Sequence, residues 1–295
     1  TPISLINQWS LQSTHRLPDY WIGEMERFSL TAADLVFCPS QYLADRLFAD
    51  WGLKRREVHI VRNPYSTLCS TPQARPESRE DSTSLDAEPR SRYTYLAASR
   101  VQHFKGIPEL VDGFVHYWRN GGTSKLIVAG ADTHSEVHGQ SLTGFLKNKH
   151  RKYLEQGLLE FVGPLPYEEL STIRRQCRAL FHPSLHENLP YTVIEHMAAS
   201  GIVAASTTGG HAELLSDGEN GFLFEPRNPS DVARCIRSID NLSSSDALRI
   251  GSSAKNAVME TCEPTQVWAR KIGVLSDHHP PRSEFPFIRG ESRVI

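Results

Sequence analysis

Short apolar runs alternate with amphipathic stretches along most of the chain. Runs of strand length separate segments whose apolar residues recur at helical spacing. The predicted strands lie at 93–98, 125–129, 159–162, 179–182, 202–205 and 222–224. The predicted helices lie at 108–118, 139–155, 166–177, 190–200, 211–216, 229–241, 243–261 and 264–275. All-apolar strands with intervening helices predict an α/β fold, with a doubly wound parallel sheet covered on both faces.

A shorter α/β pattern precedes this region. Strands predicted at 35–38 and 58–61 flank a helix predicted at 42–51. Residues 66–92 then contain six serines and three prolines among many charged residues. Such a segment cannot bury enough surface to offset its ordering entropy, which predicts a linker. The expected organisation is an incomplete N-terminal domain at 1–65, the linker at 66–92, the main domain at 93–262, a last helix at 263–276 and a tail at 277–295.

Composition excludes several classes of protein. Hydrophobic residues make up 39% and charged residues 22% of the chain, which excludes wholesale disorder. The 32 basic residues nearly balance 34 acidic ones, so we expect no nucleic-acid partner. No apolar run reaches the ~18 to 20 residues of a membrane helix, which leaves only peripheral membrane contact open. Five scattered cysteines without a C-x-x-C pair indicate a reduced, cytoplasmic protein.

Three polar clusters directly follow predicted strands. They lie at 99–106, 182–195 and 207–213. In a parallel α/β sheet, ligands bind beyond the carboxyl ends of the strands, so these clusters should share one ligand-binding edge. Arg100 and Lys105 in the first cluster could neutralise a diphosphate, and the alternative is ordinary surface charge. Gly209 and Gly210 in the third would let the backbone approach a ligand closely, although a Gly-Gly turn alone is weak evidence.

The second cluster carries two carboxylates beside a predicted helix start. Pro190 suits the first helical position, where a missing N–H costs nothing. Glu187 then precedes the helix and Glu195 lies about one and a half turns inside it, on either side of N–H groups that attract anions. These carboxylates could accept hydrogen bonds from sugar and ribose hydroxyls. The alternative is that Glu187 is a plain loop residue and Glu195 a solvated helix residue.

Other candidates are weaker. His182 and His186 are four residues apart, like zinc ligands, but Pro183 interrupts any helix between them and no third ligand is placed. We therefore predict no metal site. The arginines of the helix predicted at 166–177 and just after it are expected to form a solvated face. They are Arg174, Arg175 and Arg178.

Six motifs in this order resemble a known family. They are S-R-x-x-x-x-K-G (99–106), V-A-G (128–130), F-V-G-P-L (161–165), H-P-S-x-x-E-x7-E (182–195), T-G-G-x-x-E-L-L (208–215) and D-G-x-N-G-F-L-F (217–224). Residues 93–275 thereby resemble the donor-binding domain of retaining GT-B glycosyltransferases, glycosyltransferase family 4 (glycosyl transferases group 1). Residues 24–65 resemble the end of that family's N-terminal domain. Because the chain starts at Thr1, we expect the rest of a longer polypeptide to complete that domain.

The resemblance implies a retaining transfer of a sugar from a nucleotide sugar to an acceptor glycan, lipid or small molecule, without metal or cofactor. Arg100 and Lys105 would hold the leaving diphosphate. Glu187, with backbone at Asn188 and Leu189, would bind sugar hydroxyls. The remaining implied contacts are Glu195 to the ribose, Gly209 and Gly210 to the sugar–phosphate, and the loop Gly163–Leu165 near the base. Asn188 departs from the family, which usually has a small residue there.

Two other functions remain open on the sequence. One is a non-catalytic nucleotide- or carbohydrate-binding module in a larger assembly, and the other is a GT-B sugar-nucleotide epimerase. One observation argues against a non-catalytic binding module. The chain has a full set of candidate catalytic side chains that such a module would not need, namely Arg100, Lys105, Glu187 and Glu195. The resemblance further implies that the last helix crosses back towards residues 1–65, with Trp268 packed at the junction.

Overall fold

A computed structural model describes residues 17–51, 58–65, 93–135 and 139–278. The predicted linker at 66–92 and the tail beyond residue 278 lie outside the described residues. The strands are β1 Val36–Cys38, β2 Val58–Ile60, β3 Thr94–Ala98, β4 Lys125–Ala129, β5 His134–Ser135, β6 Gln140–Ser141, β7 Leu159–Gly163, β8 Ala179–His182, β9 Val203–Ser206 and β10 Phe222–Phe224. The helices are α1 Leu17–Thr31, α2 Gln41–Trp51, α3 Ile107–Arg119, α4 Leu142–Lys149, α5 Arg151–Glu155, α6 Tyr167–Gln176, α7 Tyr191–Ala198, α8 Pro229–Asp240, α9 Ser244–Thr261 and α10 Pro264–His278.

Six parallel strands form the main sheet, in the order β10-β9-β8-β3-β4-β7. Both of its faces are buried, which explains why its strands are apolar throughout rather than alternating. On β3, Tyr95 and Ala97 belong to the core beneath α3 and α8, whereas Leu96 and Ala98 belong to the core beneath α6. The predicted doubly wound α/β fold is confirmed.

The strand order reverses direction beside β3. From β3 the chain adds β4 and β7 on one side, and then returns to add β8, β9 and β10 on the other. The connections from β3 and β8 therefore leave the sheet in opposite directions, and a crevice opens between them. Such a switch point is where open α/β sheets bind their ligands.

The N-terminal segment forms a small parallel unit of its own. Strands β1 and β2 pair in parallel, and α2 connects them. Leu43 and Leu47 of α2 pack against Val36 and Cys38, so this short unit has its own apolar core. Helix α1 is not among the predicted elements. None of the helices in the described ranges is long and apolar enough to cross a lipid bilayer.

Element boundaries differ from the predictions in three places. The helix predicted at 139–155 is divided into α4 and α5, with His150 between them, and the β5–β6 pair precedes it. The helix predicted at 211–216 is a 3₁₀ turn at Gly210–Leu214. Helix α7 begins at Tyr191, so Pro190 precedes the helix in extended conformation instead of forming its first residue.

The predicted solvated arginine face is wrong for two of its three members. Arg174 is buried and bonded to Glu195. Arg178 donates to the carbonyls of Ile239 and Leu242 and stacks over the ring of Tyr93. Carboxylate and carbonyl partners from distant parts of the chain therefore hold both guanidinium groups against the fold. Only Arg175 keeps the expected exposure.

The predicted packing of Trp268 is also wrong. Helix α10 forms where expected, but Trp268 is 58% exposed and the Lys271 ammonium lies 5.2 Å from its ring centroid. Val267 is the buried residue of this helix. Just before α10, the backbone N–H of Tyr65 donates to the carbonyl of Cys262 at 3.0 Å, which ties the N-terminal segment to the end of α9.

Candidate functional site

The three predicted clusters meet at one edge of the sheet. They follow β3, β8 and β9, which are adjacent strands, with β8 in the middle. The N–H of Leu185 donates to the carbonyl of Phe104 at 2.9 Å, and the N–H of Gly210 donates to the carbonyl of Glu187 at 2.9 Å. The middle loop is therefore bonded to the loops on both sides, and the prediction of a shared edge is confirmed.

Lys105 and Glu187 form an ion pair at the switch point. The ammonium of Lys105 contacts Oε2 of Glu187, and both side chains are mostly buried. His182 Nε2 lies 3.6 Å from the same oxygen. Burial alone would raise the pKa of Glu187, but the neighbouring His182 ring and the charge of Lys105 outweigh it and hold this pKa well below its ordinary value. Glu187 is therefore an ionised acceptor beside a cation.

Two glycines allow the loops to approach this closely. Gly106 has a φ of +68°, and a Cβ there would overlap the carbonyl of Pro183. A Cβ on Gly210 would overlap the carbonyl of Asn188 and the side chain of Ser40. Any larger residue would push the loops apart, so glycine is required at both positions.

Histidines form the buried floor beneath the ion pair. The ring of His211 meets that of His182 edge-on, with centroids 4.9 Å apart. Nε2 of His211 lies 3.0 Å from the hydroxyl of Ser206. Burial, reinforced by the nearby His182, lowers the pKa of His211 to about 3, so this ring is neutral. His211 is not among the predicted site residues, although its place inside the T-G-G-x-x-E motif was a usable signal.

Glu195 lies on helix α7 rather than in one of the three loops. It lies in the second turn of α7, and its Oε2 accepts a hydrogen bond from Nη1 of Arg174 at 3.0 Å. Arg174 belongs to the last turn of α6, the helix that precedes β8. This partner was not predicted, because nothing in the sequence connects the two helices.

Arg100 and the loop after β7 lie on the other side of the switch point. The Arg100 side chain is exposed and makes no ion pair with any described residue. Gly163 lines a cavity of about 300 Å³ together with Val101, Asp132 and Lys147. Leu165 packs instead against the apolar cluster beneath α6. The sheet edge thus offers an open cavity on one side and the Lys105–Glu187 pair on the other.

The N-terminal segment is hydrogen-bonded to the middle loop. The Tyr42 hydroxyl lies 2.8 Å from Nδ1 of His186, and the Asn63 amide donates to the carbonyl of Leu189 at 2.8 Å. His182 and His186 thus have different partners. Within the described ranges, no group of three or more His, Cys, Asp or Glu side chains is arranged to hold a metal ion.

Comparison with known proteins identifies a family. Residues 79–257, more than half of the chain, match the family model described as Glycosyl transferases group 1. Glycogen synthase of Mycobacterium tuberculosis H37Rv is 25% identical over 218 residues, which cover 74% of this chain and 48% of that protein. D-inositol 3-phosphate glycosyltransferase of Streptomyces avermitilis is 27% identical over 223 residues, which cover 73% and 46%. The chain spans about half the length of these relatives.

Solved structures share the fold. Anabaena Alr3699/HepE in complex with UDP and glucose superimposes with a TM-score of 0.66 at 18% identity, over 83% of this chain and 63% of that one. Sucrose-phosphate synthase from Thermosynechococcus elongatus gives a TM-score of 0.68 at 19% identity, over 91% and 63%. Both likenesses extend over most of the chain.

Proposed function

Because the chain belongs to the glycosyl transferases group 1 family, we propose that it transfers a sugar from a nucleotide-sugar donor to an acceptor glycan, lipid or small molecule. The observation that carries this proposal is the Lys105–Glu187 pair at the switch point of the sheet. In the proposal, the ammonium of Lys105 would hold the leaving phosphate and the carboxylate of Glu187 would hold the sugar. Both groups lie at the sheet edge where such folds bind nucleotides.

Charge on the leaving group is the main demand of this reaction. When the glycosidic bond to phosphate breaks, negative charge develops on the diphosphate. In the proposal, Lys105 and the exposed guanidinium of Arg100 stabilise that charge. Both are held on the loop that follows β3, so the positive charge is in place before the bond breaks. The chain contains no Asp-x-Asp pair for a bridging cation, which supports a metal-independent reaction without a cofactor.

The remaining contacts follow from position at the same edge. Glu187 and the backbone of Asn188 and Leu189 would bind the sugar hydroxyls. Gly209 and Gly210 would line the sugar–phosphate pocket, and Glu195 would accept from the ribose. The cavity beside Gly163 is large enough for a base, with Leu165 shaping the loop behind it. The HepE complex contains UDP and glucose, which supports a uridine diphosphate sugar as the first donor to test.

Retention of anomeric configuration, as in glycosyltransferase family 4, is part of the proposal. It rests on the resemblance of the motif set to that family. The described site has Glu187 paired to Lys105, so this carboxylate is engaged as a hydrogen-bond acceptor. The stereochemistry of the product is checked by proton NMR of the anomeric signal immediately after transfer. An inverted product would overturn this part of the proposal alone.

The experiment that tests donor binding is titration calorimetry with UDP-, GDP- and ADP-glucose, each with and without excess EDTA. We expect saturable binding of one of them, unchanged by the chelator. A Lys149→Ala variant is the matched control, because Lys149 forms a surface pair with Asp112 outside the site. Absence of binding to the whole panel would refute the proposed function. Affinity lost in EDTA and restored by magnesium would refute metal independence only.

A further inference from the structure

The pair between Arg174 and Glu195 joins the two helices that flank β8. Arg174 lies in the last turn of α6 and Glu195 in the middle of α7. Nη1 of Arg174 lies 3.0 Å from Oε2 of Glu195, and their side chains are 7% and 16% exposed. A charge pair this deeply buried is costly to break on one side, because the remaining charge is left without a partner.

Arg174 depends on this one carboxylate. In the part of the chain that the structure describes, Glu195 is its only ion-pair partner, and Nε of the guanidinium is buried without an acceptor. An arginine that served only to hold two helices together would be more stable if its remaining N–H groups donated to backbone carbonyls. Arg178 donates in this way to two carbonyls. Arg174 instead directs one donor at one carboxylate oxygen.

The contact leaves the other oxygen of Glu195 available. Among the described residues, none donates a hydrogen bond to Oε1 of Glu195. This oxygen is not one of the buried polar atoms without a partner, because the side chain is 16% exposed. The carboxylate is thus held by Arg174 through Oε2 and is open at Oε1. A fixed acceptor of this kind suits a neutral hydroxyl donor better than a cation, because Arg174 already neutralises its charge.

We propose that Arg174 is a positioning residue that fixes Glu195 to accept hydrogen bonds from the ribose hydroxyls of the donor nucleotide. This inference rests on the proposed function, in which Glu195 binds the ribose. Arg174 itself touches no substrate. It sets how strongly the site distinguishes a ribonucleotide from one that lacks those hydroxyls.

The test compares UDP, GDP or ADP, whichever binds, with its 2′,3′-dideoxy counterpart by titration calorimetry. The wild type should prefer the ribonucleotide by about tenfold or more, the worth of one charge-assisted hydrogen bond. Arg174→Met keeps a long apolar side chain without the charge and should bring this preference close to one, mainly by weakening the ribonucleotide. Arg174→Lys keeps a cation and should retain part of the preference.

Two controls separate positioning from folding. Arg175→Met changes the neighbouring exposed arginine, which bonds to Ser171 and Thr172 of its own helix, and should leave the preference unchanged. Glu195→Gln should lose the preference as Arg174→Met does, and the double variant should lose no more. If Arg174→Met does not fold, Arg174→Lys and Glu195→Gln still decide the question.

Three results would overturn the inference. A wild type without preference would mean that Glu195 does not bind the ribose, while nucleotide binding itself would leave the proposed function standing. If Arg174→Met or Arg174→Lys weakened the binding of both nucleotides equally, Arg174 would have only a structural role. If no nucleotide binds the wild type, the proposed function and this inference fail together.

Discussion

Glu213 accepts a hydrogen bond from the backbone N–H of Tyr42 at 2.7 Å, across 171 residues of sequence. Its other oxygen accepts from the N–H of Gln41 and from the guanidinium of Arg62. The Ser40 hydroxyl accepts from the N–H of Leu43. The first turn of α2 is thus capped by a carboxylate from the loop after β9, where the helix dipole favours negative charge. The N-terminal segment is thereby fixed above the candidate site.

Replacing Glu213 should loosen this attachment. Glu213→Gln loses the charge that satisfies two helix amides and one guanidinium, so we expect the free energy of unfolding to fall by about 1–3 kcal/mol. The Gln41 and Tyr42 amides should exchange faster with deuterium than in the wild type. Glu219→Gln, which changes an exposed glutamate in the turn before β10, is the control. Unchanged exchange at both amides would contradict the capping role.

Lys105→Ala and Arg100→Ala should each weaken binding of the nucleoside diphosphate. A charge-assisted phosphate contact is worth about 1.5–3 kcal/mol, or roughly ten- to a hundredfold in affinity. Lys105→Ala should have the larger effect, because it also leaves Glu187 without its ion-pair partner. Titration calorimetry measures both, with Lys149→Ala as the surface control. Wild-type affinity in both variants would remove these residues from the site.

Glu187→Gln should impair turnover more than nucleotide affinity. The proposed partner of Glu187 is the sugar, which free nucleoside diphosphate lacks. We expect the dissociation constant of the diphosphate to change by less than about threefold while kcat falls by tenfold or more, the cost of a lost charge-assisted bond. Steady-state kinetics and calorimetry on the same preparation separate the two. Equal losses in turnover and in diphosphate affinity would contradict this division of roles.

Gly106→Ala and Gly210→Ala should both destabilise the protein. At each position the new methyl group would overlap a carbonyl of the middle loop, and Gly106 also has a left-handed φ. We expect losses of about 1–3 kcal/mol in the free energy of unfolding. Gly273→Ala lies inside α10 with no described atom within 4 Å of the new Cβ, and should stabilise by about 0.4–1 kcal/mol. Destabilisation of similar size at Gly273 would show that close packing is not the cause.

His211 should make the fold sensitive to mild acid. The pKa of His211 is lowered from 6.5 to about 3, mainly by burial. Below pH 6.5 this imidazole therefore binds a proton in the unfolded chain but stays neutral in the folded chain. The stabilising contribution is therefore complete above pH 6.5 and is lost as the pH falls towards 3, with a slope of at most about 1.4 kcal/mol per pH unit. His211→Gln does not titrate and should flatten urea-unfolding profiles between pH 6 and 4. Parallel profiles for variant and wild type would contradict this.

Local pattern determined most of the architecture. Strand and helix periods are properties of neighbouring residues, so the six strands of the main sheet, the order of their helices and the loops that bear Lys105, Glu187 and Gly210 could all be read from the sequence. Parallel strands place their carboxyl ends together, which also predicted that these loops meet. The roles given to all of the site residues, Lys105 and Glu187 included, stay predictions.

Tertiary structure alone decided which polar groups became partners. From the sequence, Arg174 is expected on a solvated helix face, but the structure brings α6 beside α7 and pairs it with Glu195. Glu213 is expected in a short helix of its own, but it caps α2 instead. Trp268 reads as a packing residue but faces solvent, because Val267 occupies the inward side of α10. A charged or hydroxyl group forms a hydrogen bond only with a partner that lies within about 3 Å. Which groups come that close depends on how distant segments of the chain pack, and a local sequence repeat does not show it.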